Sequence, residues 1–338
     1  MRPLTPRQIA VICAALGAIL FAVVVVSLRV GAYPIGVTDI AMTLFRGAIH
    51  HWSSIPPDYS NVIFEIRLPR IALGILVGAA LSVSGGSFQA LLRNPLADPY
   101  VLGVSSGAAL GAIVSLAWFP HQLWTMQALA FVGALATIAA VYFLGRRGGQ
   151  LDSTTLLLAG IITASFLSAV IMFLMTTISG RELRGMAFWL MGDLATPPEI
   201  KLRYLYPLLL IAIGAIYTTS SDLNLILTGE QEAHHLGVNV ARVKLVVYVG
   251  ASLLTGLAVS VSGAIGYVGL LVPHVIRMIF GSDHRLLIPA SAIGGAIAVA
   301  LADTLARTIV APTELPVGAM TAAIGAPVFI YLLKRRLA

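Results

Sequence analysis

A short motif with the spacing of a serine hydrolase lies in the first half of the sequence. Gly103-Val104-Ser105-Ser106-Gly107 satisfies the Gly-x-Ser-x-Gly pattern, which places a nucleophilic serine on a strand-to-helix turn. That chemistry also needs a general base within hydrogen-bond reach and an oxyanion hole. Here the motif follows a proline-rich break and opens an apolar segment, while His274, inside a later apolar run, lies near a charged end. The sequence therefore disfavours an intramembrane serine protease, which remains a remote alternative.

Three arginines stand at the ends of apolar segments that are far apart in sequence. Arg67 and Arg70 begin one segment and Arg307 ends another, so we expect their charges to meet on one outer surface. A guanidinium group binds a carboxylate bidentately, which would suit an acidic protein partner. Arginine also occurs routinely at span ends, where its long side chain reaches the interface. Position alone leaves both interpretations open.

The longest polar interruption expected on the inner side, residues 222–244, carries helix-boundary signals. Thr228 and Gln231 have the spacing of a capping box, Gly237 suits a helix C-terminus, and Asn239 is placed to cap a second helix. We therefore expect two short helices at the cytoplasmic surface.

The usual signals for ATP hydrolysis, ion coupling and metal binding are weak or missing. All three lysines lack the preceding glycine of a phosphate-binding loop, so a pump would need energy from another polypeptide. The cores of the apolar runs contain no acidic residue, although an ion-coupled secondary transporter stays open as the alternative. Cys13 is the single cysteine, and His50 and His51 have no third ligand nearby, so we expect no metal site and no cofactor on this chain.

The elements that must position these residues are membrane spans. The mean hydropathy is +0.94 and only 10% of residues are charged, which indicates a polytopic protein in a lipid bilayer and not a nucleic-acid-binding one. Ten apolar runs are long enough to span or nearly so: 9–28, 71–92, 100–118, 124–144, 155–178, 204–220, 245–263, 265–280, 286–302 and 316–333.

An even number of spans places both termini on one side, and basic residues at each end indicate the cytoplasm. We expect one transmembrane domain, 1–338, with approximate halves 1–195 and 196–338. Ser260-Val261-Ser262-Gly263 repeats Ser82-Val83-Ser84-Gly85. Because five spans is an odd number, the second half would be an inverted copy of the first.

Motifs along nearly the whole chain resemble one family. RLPR at 67–70, GAALSVSG at 78–85, the QAL-NPLA-P-LG-S-GA pattern at 89–108, LADTLAR at 301–307 and ELPVGAMTAAIGAP at 314–327 are similar to FecCD-family permeases of ABC importers, which carry ferric siderophores, haem and cobalamin. The resemblance implies an all-α type II importer fold in the inner membrane. It also implies a second copy of the chain, two ATPase subunits that bind the ATP, and an extracytoplasmic substrate-binding protein.

The same resemblance assigns expected roles to particular residues. Arg67, Arg70 and Arg307 match positions that receive acidic residues of the binding protein. A coupling segment that seats on the ATPase is matched by Glu230, Ala233, Leu236, Gly237 and Val238. The translocation pathway is expected along Ser165, Ser168, Met172 and Thr176, with Phe188 and Trp189 on a short helix at its outer mouth.

Overall fold

The computed structural model describes residues 4–31, 33–49, 54–119, 122–147, 150–177, 181–195 and 201–337. This part of the chain is helical apart from loops and one antiparallel pair of two-residue strands, Arg146–Arg147 and Gln150–Leu151. The helices of the first half are α1 (Pro6–Arg29), α2 (Val37–Ala48), α3 (Pro57–Ser60), α4 (Leu68–Leu91), α5 (Val104–Trp118), α6 (Leu123–Leu144), α7 (Ser153–Thr177) and α8 (Arg181–Leu190). Those of the second half are α9 (Leu202–Thr218), α10 (Ser220–Ile226), α11 (Glu230–His235), α12 (Val240–Ser262), α13 (Val268–Phe280), α14 (His284–Ala306) and α15 (Val317–Leu337).

The predicted spans correspond to helices throughout the described residues. Six helices are long and apolar enough to cross a membrane, and α9 with α10 forms a further candidate, bent by 47°. Three shorter apolar helices occupy the remaining predicted positions: α5, α13 and the first part of α15. The expectation of an all-helical membrane protein with about ten apolar segments is confirmed.

Helix α4 lies at the centre of the packing. A π-helical stretch joins it to α3, so that Pro57–Leu91 is one long helix. In its most apolar stretch of 18 residues, 89% of the residues are buried. It contacts α12, α13 and α14 through small residues, with Gly78 against Gly295 and Gly85 against Gly269. A Cβ atom on Gly85 would collide with the carbonyl oxygen of Gly269, so this close approach of two backbones requires glycine.

Two breaks in the helices meet inside the protein. Helices α5 and α13 have 15 and 13 residues, too few to cross a bilayer alone. Helix α5 follows a short 3-10 helix, Pro99–Leu102, and α13 follows a non-helical segment. The Tyr100 hydroxyl, before α5, donates to the carbonyl oxygen of Ile265, before α13, and accepts from its N–H, both at 3.0 Å. These bonds satisfy backbone groups that an apolar environment would leave without partners.

The two halves share an order of elements. A long helix, a break, a short helix and two long helices follow one another in α4–α7 and again in α12–α15. Helix α4 packs on α14 and α12 packs on α6, so the halves are joined in one body. The division near residue 195 and the inverted orientation of the second half remain predictions.

The polar segment 222–244 departs from its expected capping. Helix α11 has Gly229 as its N-cap with no side-chain cap, so the capping box of Thr228 and Gln231 is wrong. A capping box would need Thr228 as the N-cap, one residue before the observed N-cap. Asn239 does cap a helix, but this helix is the long α12, and the two short helices are α10 and α11. Gly237 follows α11 with a φ of +87°, as its predicted role at a helix end requires.

Candidate functional site

The three predicted outer arginines lie together at the start of α4 and the end of α14, but they are buried. Arg67, Arg70 and Arg307 are 4%, 8% and 8% exposed. The Nε and Nη2 atoms of Arg70 both lie 2.8 Å from Oδ1 of Asp303, and the Nε atom of Arg307 lies 3.5 Å from its Oδ2. They do not form the open cationic surface that the sequence suggested, because all three are buried and Asp303 offsets part of their charge.

Arginines of this cluster also hold the end of α1. The guanidinium group of Arg67 donates to the carbonyl oxygens of Leu28 and Tyr33, and Arg307 Nη2 donates to the carbonyl oxygen of Ser27 at 2.6 Å. The last carbonyl groups of a helix have no partner within it. Two of the predicted docking residues therefore stabilise the packing of α1 on α4 and α14.

Glu314 is the exposed member of the same cluster. Its Oε2 atom lies 2.7 Å from Nη1 of Arg70, and 46% of its side chain is exposed, against 9% for Arg70. Three arginines and two acids leave a net charge of +1. The outermost N–H groups of Arg70 are thus already covered by a carboxylate of this chain.

At the far end of α4, Glu230 joins three elements. Its Oε1 atom lies 3.0 Å from Arg93 Nη2, just after α4, and its Oε2 atom lies 2.7 Å from Lys244 Nζ on α12. The bridge to Arg93 is more than one-third exposed at both ends, whereas the Lys244 side chain is only 11% exposed. Solvent therefore screens the first bridge more than the second. Helix α11, which begins at Glu230, is tied to the central helix and to α12.

The other predicted coupling residues divide into two groups. Ala233 and Val238 are buried and pack α11 and the following turn onto the body of the protein. Leu236 is 65% exposed, and Gly237 beside it is also exposed. This end of α11 therefore presents an apolar side chain and bare backbone at the surface, where a partner can contact both.

The predicted pathway residues lie on one exposed stripe of α7. Their spacing places them on a single helix face: Ser165, Ser168, Met172 and Thr176. The Ser165 hydroxyl donates to the carbonyl oxygen of Ile161 and Thr176 to that of Phe173, so both hydroxyls are satisfied within the helix. A neighbouring exposed stripe is strongly apolar and contains Leu158, Ile162, Phe166 and Phe173. Helix α7 thus presents a weakly polar face beside a strongly apolar face.

The expected outer-mouth residues belong to α8, as predicted for a short helix, but they face different surroundings. Phe188 is 46% exposed, whereas Trp189 is 8% exposed and packs in the core cluster. Residues 178–180, which precede α8, lie outside the described part of the chain, as do His50 and His51. Among the described residues, no group of three His, Cys, Asp or Glu is arranged to hold a metal ion.

A polar network near the start of α14 escaped the sequence analysis. Asp283 is the N-cap of α14 and accepts hydrogen bonds from Arg285 and from Asn224 Nδ2 on α10, the latter at 2.9 Å. Its hydrogen bond with the Arg285 side chain is the main cause that lowers the pKa of Asp283 to about 2. An aspartate directly before an apolar run is a helix-start signal that could have identified the cap, but not its partner on α10.

Comparisons with known proteins agree with this architecture. The sequence matches the FecCD transport family over residues 19–335. It is 38% identical to the cobalamin import system permease protein BtuC of Halobacterium salinarum, over 99% of each chain. It is 43% identical to the hemin transport system permease protein HmuU of Yersinia pestis, over 82% of this chain and 84% of that one.

A solved structure gives the same result in three dimensions. It is described as an inward-facing conformation of a metal-chelate type ABC transporter, with a TM-score of 0.81 and 32% identity. The similarity covers 96% of this chain and 99% of that chain. The chain therefore belongs to the FecCD transport family of ABC transporter permeases.

Proposed function

We propose that the chain is the permease subunit of an importer that moves an iron chelate or a corrinoid into the cytoplasm. It acts as a homodimer in the cell membrane, with both termini cytoplasmic, two ATPase subunits inside and a substrate-binding protein outside. Family membership supports the class of transporter. The relatives named for hemin and for cobalamin support the cargo class, and they differ too much to choose one cargo.

The observation that carries the mechanism is the bridge from Glu230 to Arg93 and Lys244. Helix α11 offers its exposed end, with Leu236 and Gly237, to the ATPase. Because Glu230 connects the other end of this short helix to α4 and α12, a displacement of α11 is passed to the centre of the protein. Glu230 thus transmits movement and does not itself form the contact surface.

The binding protein docks on the arginine cluster by displacing a carboxylate of this chain from it. A carboxylate of the binding protein would take the place of Glu314 on Nη1 of Arg70, because Glu314 is the exposed partner in this ion pair. Charge reversal at these arginines is a poor test, because a new acid would face Asp303 in a buried site. The exposed Glu314 is the residue to change.

The pathway forms between two copies of the chain. The weakly polar stripe of α7, Ser165 to Thr176, is exposed in a single chain, and the hydroxyl groups of Ser165 and Thr176 are satisfied within the helix. Such a wall offers few strong hydrogen bonds to a bulky ligand, which favours passage over tight binding. Capture of the ligand belongs to the binding protein.

The test replaces Glu230 with Gln in the purified complex with its ATPase subunits and binding protein. Glu230→Gln should keep the ATPase subunits and basal hydrolysis but lose most of the stimulation by the loaded binding protein. Glu232→Gln is the matched control, since this exposed residue has the same charge, lies on the same helix and forms no ion pair among the described residues. Normal stimulation in Glu230→Gln would refute the coupling role.

A further inference from the structure

A groove of about 1090 Å³ opens between the end of α6, one side of α11 and the start of α12. Its walls include Tyr142 and Arg146 from α6 and the residues after it, and Arg242 and Leu245 from α12. The charged and titratable side chains that line it are Arg146, Arg242, Lys244, His234, His235 and Glu230. The charged part of the lining is therefore mainly basic.

The single acid in this wall does not oppose an incoming anion. Both oxygens of Glu230 are bound, one by Arg93 and the other by Lys244. Arg242 is exposed, and the guanidinium group of Arg146 lies 5.4 Å from the centre of the Tyr142 ring. The N-terminus of α12 adds the positive end of its helix dipole beside Arg242.

The basic groove continues into an apolar surface. Arg242, Leu245 and Val249 share one face of α12, and the two apolar residues are 41% and 42% exposed. On α6, Phe143 and Leu144 precede Arg146 and are 69% and 60% exposed. Both helices are long and apolar enough to cross a membrane. The basic residues thus mark the end of a membrane-facing surface.

This combination specifies an anionic group that carries an apolar tail. Inorganic phosphate or an acidic peptide would complement the basic charge of the groove but leave the apolar surface uncovered. A lipid with a neutral headgroup would cover the apolar surface but bring no negative charge to the basic groups. We propose that the groove binds the headgroup of an anionic phospholipid, whose acyl chains lie along α6 and α12. The site needs only that these helices cross the bilayer, so it is independent of the proposed cargo.

The test measures lipids retained by the full chain in nanodiscs of equal phosphatidylglycerol and phosphatidylcholine, using native mass spectrometry. A basic residue near a membrane surface contributes about fivefold in binding, so Arg146→Gln with Arg242→Gln should lower phosphatidylglycerol retention by about 25-fold. Arg203→Gln is the matched control, because that guanidinium also stacks on a tyrosine, Tyr204, at 4.8 Å. Arg203 stands at the opposite end of α9 from α11, away from the groove, so its loss should lower retention by far less than 25-fold.

Further variants and a competing ligand separate the effect of charge from that of folding, and a lipid headgroup from free phosphate. Arg146→Lys with Arg242→Lys should keep most of the retention, because the charge remains and the fold is undisturbed. Millimolar inorganic phosphate should not displace the retained lipid. The proposal is overturned by equal retention of the two lipids, by unchanged retention in the double Gln variant, by an equal loss in Arg203→Gln, or by displacement with phosphate. If the double Gln variant no longer binds the ATPase subunits but still retains phosphatidylglycerol, the groove binds the ATPase and not the lipid.

Discussion

Replacement of Glu314 by Gln should strengthen docking of the extracytoplasmic binding protein. In the free chain the Glu314 carboxylate occupies Nη1 of Arg70, so an incoming acid must displace it. The amide of Gln fills the same space without the negative charge. Asp303 still holds the other side of Arg70, so the cluster should stay in place.

The size of the effect follows from the geometry of the pair. The two atoms are 2.7 Å apart, and the Glu314 side chain is 46% exposed. Exposed ion pairs contribute about 0.2–1 kcal/mol after solvent screening. Since the Arg70 end is buried, we take the upper part of that range, and about 1 kcal/mol corresponds to an approximately fivefold lower Kd.

The assay is biolayer interferometry of the binding protein against the permease complex in nanodiscs. Glu65→Gln is the control, because this exposed acid lies in the segment just before Arg67 and forms no ion pair among the described residues. This control tests whether the loss of any negative charge from the segment before Arg67 is enough to lower the Kd. The exchange argument fails if Glu314→Gln leaves the Kd unchanged, raises it, or lowers it no more than Glu65→Gln does.

Three further changes test the coupling turn, the buried cluster and the central contact. Gly237→Pro should abolish substrate-stimulated ATPase activity, because it removes an N–H donor and cannot adopt a φ of +87°; retained thermal stability would separate this from misfolding. Asp303→Asn should lower the free energy of unfolding by about 3–5 kcal/mol, and by more than the paired change Asp303→Leu with Arg70→Met, as denaturant titration can show. Gly85→Ala should cost about 1–3 kcal/mol by overpacking, whereas Gly214→Ala, with open space around it, should cost little in the same titration.

The apolar helices were predictable because span length and composition are local properties of the sequence. The meeting of Arg67, Arg70 and Arg307 could be expected from span ends, but their burial could not. Burial depends on Asp303 and Glu314, which lie in a distant part of the chain and reach Arg70 only after α14 packs on α4.

Helix boundaries in the coupling segment show a similar limit. Gly237 was recognisable because glycine tolerates the left-handed conformation that ends many helices. Thr228 and Gln231 had the correct spacing for a capping box, yet Gly229 is the N-cap of α11. The ion pairs of Glu230 with Arg93 and Lys244 link three elements, and no local pattern announces such a contact.

The position of α4 between the arginine cluster and Arg93 has a mechanical consequence. Its 24 residues form a stiff lever about 36 Å long, with Arg70 near one end and Arg93 just beyond the other. A tilt of about 5° about one end would move the other by about 3 Å over that length. This displacement is as large as the 3.0 Å distance between the bonded atoms of Arg93 and Glu230. A slight inclination of α4 imposed at the arginine cluster would therefore be enough to open or close an ion pair at the opposite end.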